Sequence, residues 1–66
     1  MFKHVFFNGG NQVGETYSLD EAAEFLATRW PEFWDKESAK EALEEAKREG
    51  EQLCCEDEHM NYLVPL

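Results

Sequence analysis

Carboxylates dominate the chemistry open to this chain. In the stretch from Glu37 to Glu49, ESAKEALEEAKRE, the acids Glu37, Glu41, Glu45 and Glu49 recur every four residues. On a helix such like charges stand one above another, which weakens an isolated helix by about 0.2–0.5 kcal/mol per pair. At about 1.5 Å rise per residue the four span roughly 18 Å. One DNA strand carries a phosphate about every 3.4 Å, so about five in that length. Two readings of the stretch stand side by side. It is a solvated helix face, with Glu44 and Arg48 an ordinary i,i+4 pair, or it is an anionic ridge whose charge density matches that of a nucleic-acid strand.

Other chemistry finds less support. Cys54, Cys55, His59 and His4 are metal-ligand types, but a zinc site needs ligands two to four residues apart so that both reach one tetrahedral centre. Adjacent cysteines on a strand point to opposite faces. The expectation is one cysteine in the core and the other partly exposed, with no metal and no cofactor. Glu56-Asp57-Glu58-His59 lacks the alternating oxygen ligands and the glycine of a calcium loop. Two thiols and two histidines without an orienting third group do not make a nucleophile pair, so no catalytic residue is assigned and the chain reads as non-enzymatic. The glycines of NGGNQVG, residues 8–14, match no phosphate-binding spacing.

Composition bounds the rest. With 66 residues the chain is a single domain, residues 1–66, whose small size leaves a marginal core. Hydrophobic residues at 42% and aromatics at 14% are enough to fold it, so the acidity does not signal disorder. Fifteen acids against six Lys and Arg give a formal charge of -9. That field repels nucleic acid and anionic membranes and attracts basic surfaces. No apolar run approaches a signal-peptide core or a membrane span, and neighbouring cysteines do not form a secreted-domain disulfide framework. The expectation is a cytoplasmic protein with reduced thiols, in a bacterial host cell if it is phage-encoded.

The elements that must position the acids can be read in order. Residues 2–7, FKHVFF, run into NGGN, and residues 12–17 follow as the second strand of a hairpin. Ser18-Leu19-Asp20-Glu21 matches a capping box, and Leu19, Ala22, Ala23, Leu26 and Trp30 supply the buried stripe of the helix it starts. Pro31 ends that helix. Asp35 caps a second helix with the stripe Ala39, Ala42, Leu43 and Ala46, closed by Gly50. Its wheel puts Glu37, Glu41, Glu44 and Glu45 on the far side and Glu49 on one flank. Lys36, Lys40 and Lys47 gather on the other flank, and Arg48 interrupts the acids. Residues 52–55 and 60–64 complete two more strands, with Pro65 confining the last strand's end to an edge. The order ββααββ predicts an α+β domain, a small antiparallel sheet with two helices on one face.

Residues 18–31, SLDEAAEFLATRWP, resemble a helix in a family of short uncharacterised bacterial domains that carry a Glu-Ala-Ala-x-Phe-Leu pattern ending in Trp-Pro after an N-terminal hairpin. That likeness implies a hairpin-plus-helix scaffold and no activity. In size, charge and compactness the chain is similar to phage-encoded DNA mimics, including small anti-CRISPR proteins. This likeness is one of character, and it implies an inhibitor that occupies the basic groove of a nucleic-acid-binding protein or complex, such as a CRISPR effector, without itself binding nucleic acid or a membrane.

The expected partner-binding residues are Glu37, Glu41, Glu44, Glu45 and Glu49 on the second helix, Glu21 and Glu24 on the first, and Glu56, Asp57 and Glu58 in the last turn. Phe25 joins them, since it falls off the Leu19/Leu26 stripe and must pack under the second helix or stand exposed as an apolar anchor. Trp30, Phe33 and Trp34 are expected to close the helix–helix corner as core. A different reading is assembly with itself or another protein through this aromatic face.

Overall fold

The computed structural model describes residues 1–7, 10–56 and 60–66. Its elements run β1 (Phe2–Phe7), β2 (Asn11–Tyr17), α1 (Leu19–Arg29), α2 (Lys36–Glu49), β3 (Leu53–Cys54) and β4 (Asn61–Pro65). The four strands form one antiparallel sheet in the order β2-β1-β4-β3.

Local chemistry sets the helix ends. Ser18 accepts from the Glu21 N–H while the Glu21 carboxylate accepts from the Ser18 N–H at 3.0 Å, so two otherwise unsatisfied donors are met at the start of α1. Asp35 and Ser38 repeat the arrangement on α2. Gly50, at φ 70°, takes the left-handed conformation that lets the Glu51 N–H reach back to the Ala46 carbonyl.

Alternation along the strands decides what each face of the sheet carries. The register pairs Phe2 with Pro65 and His4 with Leu63, so these four share a face. Phe2 and Leu63 lie in one buried cluster with Ala22, Ala23 and Leu26 of α1 and Ala39 and Leu43 of α2. Both helices therefore cover this face. The cluster is thin. Phe2, Leu26, Leu43, Leu63 and Cys55 are its largest fully buried side chains, and each large one contributes about 1.5–3 kcal/mol by leaving water.

One irregularity serves this core. Between Lys3 and Val5 the pairing with β2 skips from Thr16 to Val13, placing a bulge opposite His4. A Cβ at Gly14 would sit 2.8 Å from His4 Nδ1, so only glycine admits the ring. Buried His4 donates from Nε2 to Asn61 Oδ1 at 2.9 Å, and the Asn61 amide donates to Glu56 Oε1 at 2.6 Å. The second bond fixes the amide's orientation and hence the tautomer of the ring.

Two expectations need correction. Phe25 is neither under α2 nor exposed; it is half-buried, stacked on Tyr17 at 5.0 Å, tilted against His4 at 4.9 Å and edge-on to Trp30 at 5.5 Å. The reason is that α1 lies over the hairpin as well as beside α2, so it buries two faces. Phe33 is 49% exposed, whereas Trp30 is buried and half-buried Trp34 is fixed by an N–H bond to the Cys55 carbonyl at 3.0 Å. The end of β4 lies at an edge as expected, although the strand itself sits between β1 and β3. Pro65 is tolerated because β3 pairs only with Tyr62 and Leu63, so the end of β4 overhangs it.

Candidate functional site

The candidate site is the solvent side of α2. Its buried residues Ala39, Leu43 and Ala46 face the core, and this stripe turns Glu37, Glu41, Glu44, Glu45 and Glu49 outward, all of them exposed. Among the described residues no ion pair reaches these five; Arg48 stands among them without closing on Glu44.

The helix's lysines are drawn away from this ridge. Lys36 Nζ lies 3.3 Å from Asp20 and 3.7 Å from Glu24, and Lys40 Nζ lies 3.3 Å from Asp20. Asp20 is held below its ordinary pKa, chiefly by its hydrogen bond to Lys40 and then by that to Lys36. Lys47 lies beside the chain's amino group and lowers its pKa. The hydrogen bond with Lys47 comes first among the causes, followed by loss of solvent and then by like charge.

The expected site residues thus separate into groups. Glu37, Glu41, Glu44, Glu45 and Glu49 come together on one helix surface. Glu24 is held in the seam of ion pairs between the helices. Glu21 is committed to the α1 cap, where hydrogen bonds from the Ser18 N–H and hydroxyl keep its carboxyl ionised to lower pH than usual. Half-buried Glu56 accepts from Asn61 within the fold. Phe25 forms the floor of a shallow cleft of about 610 Å³ between α1 and β2, lined also by Tyr17, Glu21, Glu24, Thr28 and Arg29. Asp57 and Glu58, with His59, lie outside the described residues.

Glu51 was not anticipated. The turn at Gly50 carries it to the β3 side of α2, where it lines a groove of about 230 Å³ with Glu45, Glu49, Ala42, Ala46, Gln52 and Leu53. The signal available was Gly50 itself, since a left-handed cap reverses the chain against its own helix.

The thiols do different things. Cys55 is buried, and loss of solvent pushes its pKa up to about 12. Half-buried Cys54 donates from Sγ to the Glu56 carbonyl at 3.0 Å. Among the described residues no three His, Cys, Asp or Glu side chains are grouped to hold a metal ion. Nor is any helix among them long and apolar enough to cross a membrane.

What the surface can do is present negative charge along a 14-residue helix. No protein-family model matches this chain, and no curated protein or solved structure matches it either.

Proposed function

We propose that the protein is a non-enzymatic inhibitor that lays the α2 ridge into a basic groove of a nucleic-acid-binding complex and so excludes DNA or RNA; an anti-CRISPR protein acting on a CRISPR effector is its sharpest form. The observation that carries this reading is the sorting of charge on α2. Five carboxylates face solvent unpaired among the described residues, while Lys36 and Lys40 of the same helix are turned onto acids of α1. A ridge built only for solubility has no need to withdraw its cations. Charge-assisted bonds from Lys and Arg of a partner would offset the repulsion among the stacked glutamates, and long-range attraction would speed encounter.

The test is displacement of labelled DNA from a panel of purified CRISPR effector complexes. The wild-type chain should displace it from at least one of them at low salt and lose this ability steeply as salt rises. The double substitution E41K/E45K should abolish displacement while leaving the circular dichroism unchanged. Undiminished displacement by that variant would remove the ridge from the mechanism.

A further inference from the structure

We infer that the uncovered face of the sheet is a homodimer interface, with two copies packed sheet against sheet and their helix layers outward. Register and alternation place Lys3, Val5, Phe7, Val13, Thr16, Cys54, Tyr62 and Val64 on the face opposite the helices. Continuing the alternation by one residue brings Met1, Met60 and Leu66 to the same side. The exposed large apolar residues of the described chain are Met1, Phe7, Val13, Phe33, Met60 and Leu66. All but Phe33 therefore fall on this one surface, in a protein whose other surfaces are crowded with acids. Phe7 and Tyr62 already meet edge-to-face across it at 5.8 Å.

Area favours a second copy as the occupant, and the placement of charge permits it. Strands of six, seven, two and five residues, at about 3.3 Å per residue and about 4.8 Å apart, give roughly 320 Å² in plan, and side-chain relief with Met1, Met60 and Leu66 at the rim brings the buried total over two partners toward about 1,000 Å², the lower end for a specific interface. Among the residues that register assigns to this face, Lys3 is the one charge, and its long stem can carry the ammonium to the rim. A chain of charge -9 repels its own copy over most orientations. Sheet-to-sheet packing avoids this, because it sets the two ridges about 30 Å apart, well beyond the screening length of about 8–10 Å. The thin core supplies the driving force, since the dimer adds an apolar layer that one chain cannot bury alone.

Multi-angle light scattering and sedimentation equilibrium of the full chain, from micromolar to millimolar, test the inference. The expected mass is twice 7.7 kDa at the upper end, with association strengthened by salt, because screening removes the remaining repulsion and leaves apolar contact intact. Val13→Lys changes a side chain that is 65% exposed and should weaken the dimer by about tenfold or more with the circular dichroism unchanged. Met60→Lys, at a site 43% exposed, should act in the same direction and stands in if the first variant misfolds. The ridge variant E41K/E45K should remain dimeric. A wild-type chain that stays monomeric throughout, or a dimer that tolerates both Val13→Lys and Met60→Lys, overturns the inference.

Discussion

The two outer surfaces of this molecule differ in kind. Over the helices, Glu37, Glu41, Glu44, Glu45 and Glu49 stand in solvent above a core contact made largely by alanines. Across the sheet, register sets Val5, Phe7, Val13, Tyr62 and Val64 together with Thr16 and Cys54, and Lys3 is the one charge among the residues it assigns there. A two-layer fold has one interior, and each layer has a second side that the core does not constrain. Here the helix layer carries charge on that side and the sheet layer carries apolar side chains. The account consequently predicts opposite salt responses, with recognition through α2 weakening as ionic strength rises and association through the sheet strengthening.

The largest expected effect separates apolar residues on the two sides of the sheet. Leu43 is the one large, fully buried side chain of α2. Leu43→Ala should cost about 2–5 kcal/mol in urea unfolding, enough to unfold much of a small domain. Val13→Ala, monitored where the chain is monomeric, should fall within about 0.5 kcal/mol of wild type, because an exposed valine loses little. Equal losses at the two positions would break the distinction between them.

Thiol reactivity gives a contrast of intermediate size. Cys54 should react with a soluble disulfide reagent under native conditions, whereas Cys55, with its pKa raised to about 12, should react only on unfolding. The linked effect on stability follows in sign. The unfolded thiol ionises near its ordinary value, so the contribution from Cys55 is full below that pH and is lost as pH rises toward about 12. A Cys55 that labels as fast as Cys54 in the folded protein would contradict its place in the core.

How far this contrast could be read from residues alone depends on the range of the interactions. The Ser18 and Asp35 caps and the Gly50 stop were legible because each rests on atoms within a few residues. The ridge was legible for the same reason, as helical spacing fixes which glutamates share a surface. Strand order was not, because the insertion of β4 between β1 and β3 is settled by pairing across some sixty residues, such as that of His4 with Leu63. Phe25 was misplaced because its destination depends on where α1 crosses the hairpin. Nor does spacing within one helix show that Lys36 and Lys40 close on Asp20; that seam forms only when the helices pack.

The smallest expected effect concerns that seam. Asp20 is exposed and its pKa is lowered, so its contribution to stability is present above the unfolded carboxylate pKa and fades as pH falls through the lower folded value. Asp20→Asn should therefore change stability slightly at neutral pH and flatten the acid limb of the pH profile, with high salt removing the difference. It should also free Lys36 and Lys40 to approach the ridge, and so weaken recognition by a basic partner more than it weakens the fold. A variant whose loss of stability exceeds its loss of binding would assign the seam a purely structural role.

The most direct measurement is the salt dependence of DNA displacement from CRISPR effector complexes, run in parallel for wild type and E41K/E45K. Displacement by wild type should fall steeply with salt and be absent in the folded double variant. Failure of wild type to displace DNA from any effector in the panel, or equal displacement by both chains at every salt concentration, would contradict the proposal.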